Sequence, residues 1–182
     1  MVTVVVDASP ALAFREILVG GEGPIGFSQA LTAPPYRFSI GIPPGTRPRR
    51  YHLTADGFTE PGHGVSSEPV DILVERPDSP LSLTAEPSLL DLEHVGGQSS
   101  RIAAVGKFVD AQRVDVSEST YVGYVSDNLS VATVTGESWV TAVGPGSAKI
   151  TIRYKEKSTV VPVTVRKPMA GHVASLTPCC AR

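Results

Sequence analysis

The chain contains short stretches in which apolar and polar residues alternate, the pattern of β-strands with one buried and one solvated face. The clearest is Lys149–Tyr154, where Ile150, Ile152 and Tyr154 alternate with polar residues. Glycine and proline interrupt such stretches roughly every ten residues, and no segment shows the sustained apolar stripe of a helix. The pattern predicts an all-β protein.

Six strand candidates fall in the first 76 residues, at a spacing typical of a β-sandwich. They are Val2–Val6, Ala13–Val19, Phe27–Leu31, Tyr36–Ile42, Arg50–Ala55 and Val70–Val74. The alternation predicts that Phe38 and Tyr51 face the core, and that His52 faces solvent.

A polar segment with two prolines, residues 77–80, separates this first unit (residues 1–76) from a second unit (residues 81–166). Proline stiffens a short linker, so we expect the units to lie end to end with limited motion. The second unit has nine strand candidates: Leu81–Thr84, Leu89–Leu92, Arg101–Val109, Arg113–Val116, Tyr121–Val125, Ser130–Val134, Trp139–Val143, Ala148–Tyr154 and Val160–Val165. Residues 167–182 lack alternation and are interpreted as a flexible tail.

The second unit resembles the group-2 bacterial immunoglobulin-like domains, the type found in invasin and intimin. The resemblance is carried by Ser130–Val134 and Val140–Ile152, and earlier in the unit by Val105–Asp110. The sequence departs from the family's pattern at Tyr124, where the family usually has tryptophan, and at Asp110-Ala111, where it usually has an Asp-Gly turn. We expect these departures to alter loops and to leave the fold unchanged.

The first unit is similar, through shorter motifs, to another subgroup of bacterial immunoglobulin-like domains. The corresponding pieces are Pro35–Phe38, Tyr51–Ala55 and Ser66–Ile72. The two resemblances imply an all-β fold of two immunoglobulin-like Greek-key β-sandwiches in tandem. They also imply a bacterial cell-surface or secreted protein, where such modules act as stalks, adhesin segments or accessory domains beside catalytic ones.

Composition narrows the choice of partners. The formal net charge is −2 and neither half of the chain is strongly basic, so we expect no nucleic-acid partner. No apolar run approaches the roughly 18 residues that a transmembrane helix needs, so we expect no membrane insertion.

The only two cysteines, Cys179 and Cys180, are adjacent in the tail and cannot cross-link a core. Val2–Val6 follows Met1 without a signal peptide, so an exported protein is expected to be represented here by a fragment.

The sequence contains no familiar catalytic motif, and we expect no enzymatic activity and no catalytic residue. Gly21–Gly26 formally matches the dinucleotide-binding pattern G-x-G-x-x-G, but Pro34 and Pro35 follow too soon for the required helix. We expect these glycines to supply positive φ angles in a hairpin turn. None of the four histidines has the spacing of a metal site.

Two features are candidates for ligand binding. Arg47, Arg49 and Arg50 form a basic cluster that could hold a sulfated or phosphorylated polymer, or could be a solvated loop. Trp139 is the only tryptophan, and it alternates outward if Val140 faces the core. It could stack on a sugar or a partner protein, or it could cover the end of the sandwich.

Calcium is the one cofactor that the sequence brings into question. Asp71, Glu75 and Asp78 lie near the linker and offer oxygen ligands, although no D-x-D-x-D spacing occurs. No other cofactor is expected.

Together these features favour a non-enzymatic spacer, stalk or adhesion segment of a bacterial cell-surface or secreted protein. Its partner would be a protein or a polysaccharide at the cell surface. The alternatives are a carbohydrate-binding accessory module, suggested by Trp139, and a subunit of an extracellular filament. The sequence leaves the ligand and the oligomeric state open.

Overall fold

The computed structural model describes residues 1–8, 12–60, 63–94 and 96–167. The regular structure of these residues consists of seventeen β-strands and one short 3₁₀ helix, Gly23–Ile25. In this part of the chain no helix is long and apolar enough to cross a membrane. Residues 168–182 of the predicted tail, with Cys179 and Cys180, lie outside the described residues.

Seven strands form two sheets in the first unit. They are β1 (Val2–Val6), β2 (Glu16–Gly21), β3 (Gly26–Phe27), β4 (Tyr36–Ile40), β5 (Arg49–Glu60), β6 (His63–Ser66) and β7 (Val70–Val74). Strands β1 and β4 pair in one sheet, and the other sheet has the order β3-β2-β5-β6, with β7 also paired to β5. Phe38 and Tyr51 are buried in the core between the two sheets and His52 faces solvent, as the alternation predicts.

The structure changes the bounds of four predicted strands in the first unit and adds one that was not predicted. Tyr36–Ile42 ends at Ile40, and Arg50–Ala55 extends from Arg49 to Glu60. The predicted strand Ala13–Val19 runs from Glu16 to Gly21. The predicted strand Phe27–Leu31 is reduced to Gly26–Phe27. The Ser28 hydroxyl accepts the hydrogen bond of the Val19 amide and interrupts the ladder, and Leu31 pairs with Ile17 only as an isolated bridge. Strand β6 was not predicted, since all four of its residues are exposed and it has no apolar alternation to detect.

Ten strands form three sheets in the second unit. They are β8 (Ser82–Glu86), β9 (Leu90–Glu93), β10 (Ser99–Arg101), β11 (Ala103–Lys107), β12 (Arg113–Asp115), β13 (Val122–Ser126), β14 (Ala132–Val134), β15 (Trp139–Ala142), β16 (Gly146–Tyr154) and β17 (Lys157–Arg166). The sheet orders are β12-β11-β8, β10-β15-β14 and β13-β16-β17-β9. Strands β9 and β17 pair in parallel, and the other pairs in this unit are antiparallel.

The inward faces of these sheets share a second hydrophobic core. Ile150, Ile152 and Tyr154 are all 0% exposed, which confirms the predicted alternation along β16. The predicted single strand Arg101–Val109 is instead divided between β10 and β11, which belong to different sheets. The chain changes sheet at Ile102, which is fully buried, and a continuous apolar run gave no sign of that change.

The predicted fold class is confirmed in the described residues: they are all-β and form two β-sandwiches in tandem, each around its own hydrophobic core. The predicted glycine hairpin is also confirmed, since Gly21 pairs with Gly26 and the φ angles of Gly23 and Gly26 are 57° and 65°. Ala111 adopts φ 60°, so the Asp110-Ala111 turn has the left-handed conformation that favours glycine although it contains none. The domain bounds at residues 76 and 81 stay a prediction.

Candidate functional site

The segment that leaves β7 is anchored to a loop of the second unit through Glu75. One oxygen of its carboxylate accepts a 2.6 Å hydrogen bond from the Ser119 hydroxyl. The other accepts hydrogen bonds from the Thr120 amide and hydroxyl, at 2.7 Å and 3.0 Å. Hydrogen bonds to an ionised carboxylate are roughly twice as strong as those between neutral groups. Glu75 therefore fixes the start of the linker to the second unit.

Arg76 continues this attachment. Its guanidinium lies 4.1 Å above the centre of the Phe108 ring. It donates to both carboxylate oxygens of Asp78, at 3.1 Å each, and to Asp110 at 3.1 Å. These hydrogen bonds hold the pKa of Asp78 below its ordinary value, and they raise the pKa of Arg76. The Arg76 side chain is only 17% exposed, so the linker packs against the second unit.

Lys155, in the turn between β16 and β17, also contacts this segment. Residues 75–78 and their partners in the second unit are called the joint below. The Lys155 Nζ donates to the main-chain carbonyls of Arg76, Pro77 and Asp78, at 2.7, 3.0 and 2.8 Å. An ammonium group has three N–H donors, and here three consecutive linker carbonyls accept from it. The Tyr121 ring lies 5.2 Å from the same nitrogen. Lys155 therefore holds the linker backbone itself.

The three carboxylates considered for calcium are not brought together. Asp71 accepts from Arg50 at 2.9 Å and pairs with His52 at 2.6 Å, and these contacts lower its pKa. Glu75 and Asp78 are engaged as described above. Among the residues that the structure describes, no group of three or more His, Cys, Asp or Glu side chains could hold a metal ion.

The basic cluster divides between two surfaces. Arg49 and Arg50 are neighbours on β5, so their side chains point to opposite faces of the sheet, and Arg50 joins Asp71. Arg47 and Arg49 instead line an open cleft of 470 Å³, together with Glu118 from the second unit. The structure thus brings two of the three predicted arginines together and separates the third.

Both arginines in the cleft already face carboxylates. Arg47 lies 3.4 Å from Asp115, and Arg49 lies 3.5 Å from Glu22. The Arg49 guanidinium also lies 4.3 Å above the centre of the Tyr51 ring. Each arginine of the cleft is thus paired with a carboxylate, and Glu118 also lines the cleft. The cleft is therefore not the uniformly basic surface that a sulfated polymer would favour.

Trp139 faces outward, as predicted, and is 44% exposed. It lies on the outer face of the β10-β15-β14 sheet, directly opposite Arg101. Arg101 donates from Nη2 to Glu118 at 2.6 Å and from Nε to the Ser138 hydroxyl at 3.2 Å. Glu118 therefore connects the surroundings of Trp139 to the cleft.

Sequence reasoning missed the residues that join the two units, and those that connect the cleft to the surroundings of Trp139. These are Arg76, Arg101, Glu118, Ser119 and Lys155. Their partners are distant in sequence, as in the contact between Lys155 and Arg76, which are 79 positions apart. The one available sign was the position of Lys155 in a turn at the end of a strand pair.

No protein-family model matches the sequence, and no curated protein matches it. Domains 4–9 of the surface layer protein SbsC are 16% identical, with a TM-score of 0.43 over 90% of this chain and 24% of that chain. Domains 4 and 5 of the S-layer protein SbsC are 17% identical, with a TM-score of 0.40 over 87% of this chain and 74% of that chain. The fibronectin(III)-like modules of Clostridium thermocellum CbhA are 13% identical, with a TM-score of 0.34 over 100% and 90%. This chain spans about a fifth to a quarter of the longer S-layer chains.

Proposed function

We propose that the chain is a non-enzymatic spacer or adhesion segment of a bacterial cell-surface or secreted protein, and that it holds its two sandwiches in a fixed relative orientation. The observation that carries this proposal is the attachment of the linker by Glu75, Arg76 and Lys155. A segment that sets the distance between a surface and a distal partner needs such a joint, because a flexible joint would not hold that distance.

The joint combines contacts that do not depend on one another. Glu75 bonds Ser119 and Thr120, whereas Lys155 bonds the linker carbonyls. A single exposed ion pair contributes about 0–1 kcal/mol, but a network of several charged hydrogen bonds around a largely buried guanidinium restrains the linker at many points. The shifted pKa values of Arg76 and Asp78 are explained by their mutual ion pair. They support a structural role for these groups.

The proposal is tested by measuring the distance between the two units. Spin labels are placed at Thr3→Cys in β1 and Thr164→Cys in β17, since both side chains are exposed. The two native cysteines are replaced by serine, and the distance distribution is measured by pulsed electron paramagnetic resonance. We expect one narrow distribution.

The matched control inserts Gly-Ser-Gly-Ser between Pro77 and Asp78, which frees the linker and is expected to broaden the distribution. Equal widths with and without the insertion would contradict a fixed joint. Catalytic turnover that is lost on a single substitution would contradict the non-enzymatic part of the proposal.

A further inference from the structure

We propose that the outer face of the β10-β15-β14 sheet binds a neutral polysaccharide chain, with Trp139 as the surface on which a sugar ring stacks. This face is defined by Ser99, Arg101, Thr133, Trp139 and Thr141, and is called the Trp139 face below. The inference goes beyond the proposed spacer function, since a spacer needs no ligand of its own.

Trp139 offers a partly exposed aromatic side chain on a strand that is anchored in the core. Trp139 is partly exposed, while its neighbour Val140 is fully buried and anchors β15 in the core. Tryptophan combines a large apolar ring with low conformational entropy, which suits it to stacking on another flat apolar surface. The C–H face of a pyranose ring is such a surface. Trp139 can therefore bind one ring without rearrangement of the sheet.

Polar groups for sugar hydroxyls lie directly beside the ring. Arg101, opposite Trp139, forms the 2.6 Å hydrogen bond to Glu118. A guanidinium next to a carboxylate presents donors and acceptors side by side, and two adjacent sugar hydroxyls match this arrangement because each can donate and accept. The hydroxyls of Ser99 and Thr141 lie 2.8 Å apart on the same face and provide a second such pair.

The turn before Trp139 orients the Arg101 side chain and fixes the main chain of Trp139. Ser138 is fully buried and adopts φ 67°, a conformation that costs energy for a residue with a side chain. Its hydroxyl accepts from Arg101, and the Trp139 amide donates to the Thr135 hydroxyl at 3.3 Å. A site whose groups are already oriented loses less entropy when a ligand binds.

The charge balance of the surface selects a neutral ligand. On the Trp139 face, Arg101 is balanced by Glu118. In the neighbouring cleft, Arg47 and Arg49 are each paired with a carboxylate, as described above. An acidic polymer would meet a carboxylate beside every guanidinium, whereas uncharged hydroxyls can bond to both. Because Glu118 borders the face and the cleft, a chain of several sugars can extend from one to the other.

The test uses intrinsic fluorescence, because Trp139 is the only tryptophan in the chain. The full chain is titrated with neutral polysaccharides (a mixed-linkage β-glucan, a galactomannan and glycol chitin) and with acidic ones (polygalacturonate and heparin). We expect a saturable shift of the emission with at least one neutral polymer. In affinity gel electrophoresis with that polymer, Trp139→Ala should lower the affinity about tenfold or more, and Trp139→Phe should retain part of it. Arg101→Lys keeps the charge but loses the planar fork, and should weaken binding several-fold.

Phe27→Ala is the matched control, since it removes an aromatic side chain that is 75% exposed in the first unit. Its affinity should equal that of the unmodified chain. Far-ultraviolet circular dichroism and thermal unfolding establish that each variant is folded. The proposal is overturned if no neutral polymer shifts the emission, if only acidic polymers do, or if folded Trp139→Ala retains its affinity. None of these outcomes bears on the distance measurement that tests the spacer function.

Discussion

The ammonium group of Lys155 donates a 2.7 Å hydrogen bond to the main-chain carbonyl of Arg76, and it also bonds to the next two carbonyls of the linker. Main-chain carbonyl oxygens are among the ligands with which proteins hold calcium. Here the cation is a side chain of the protein itself. Lys155 thus supplies the positive charge that a bound calcium ion would otherwise supply to these carbonyls.

Replacing this cation should weaken the joint. Lys155→Met keeps the length of the side chain but removes all three donors, so we expect a loss of about 1–2 kcal/mol in the free energy of unfolding. The spin-label distance distribution should broaden as well. Lys157→Met on the same strand pair is the control, because Lys157 is exposed, and a surface change of this kind should stay within about 0.5 kcal/mol.

The spin-label distance measurement also separates a joint held by Lys155 from one that needs calcium. We expect the distance distribution of the unmodified chain to be the same with a chelator and with millimolar calcium. A distribution that narrows only when calcium is added would show that an ion, and not Lys155, orders the linker.

The Arg76 guanidinium should not be replaceable by lysine. It contacts the Phe108 ring and bridges Asp78 and Asp110, which requires a planar group with several donors. Arg76→Lys keeps the charge but cannot make all of these contacts, so we expect a loss of about 1–2 kcal/mol in urea unfolding. Arg37→Lys on the exposed side of β4 should change stability little, and an equal loss in both variants would contradict a special role for Arg76.

Burial along single strands was predictable because it depends on neighbouring residues alone. The alternation of Ile150 and Ile152 with polar residues is visible in the sequence, and one face of β16 is indeed buried. Alternation gives no information where both faces of a segment are apolar, as at Ile102, where the chain changes sheet without a break in the apolar run. It gives none either where both faces of a strand are exposed, as in β6.

The joint could not be predicted in the same way. The residue types of Glu75 and Asp78 are equally suited to calcium and to hydrogen bonds within the protein. What decides between these roles is the position of Ser119 and Arg76 after folding, which no local spacing records. The outward direction of Trp139 was predictable from period two, but its position opposite Arg101 depends on strand register.

Acid should loosen the joint through Asp78. Its pKa in the folded chain lies below the ordinary value of 3.8, chiefly because Arg76 donates hydrogen bonds to it. The unfolded chain therefore binds this proton more readily, so the contribution of Asp78 is present above about pH 4 and is lost as the pH falls through the folded-state pKa. The Asp78 side chain is 41% exposed, so solvent screening keeps its contribution to the stability of the joint small. Small-angle scattering between pH 5 and pH 2 should show the joint loosening in the native chain, and a smaller change in Asp78→Asn. Identical acid profiles would assign the loosening to other groups.

Two buried tyrosines should respond differently to loss of the hydroxyl. Tyr51 donates a 2.9 Å hydrogen bond to the Arg47 carbonyl. The buried Tyr154 hydroxyl makes no hydrogen bond of ordinary geometry with the described residues, and the Ser119 hydroxyl near it is bonded to Glu75. Removing a bonded hydroxyl costs about 1 kcal/mol, while removing a buried hydroxyl without a partner relieves a desolvation penalty. We therefore expect Tyr51→Phe to lower the free energy of unfolding by about 1 kcal/mol, and Tyr154→Phe to leave it unchanged or raise it. Urea unfolding of the two variants side by side checks this, since both rings stay in place. A loss in Tyr154→Phe as large as that in Tyr51→Phe would show that the Tyr154 hydroxyl is hydrogen-bonded in solution.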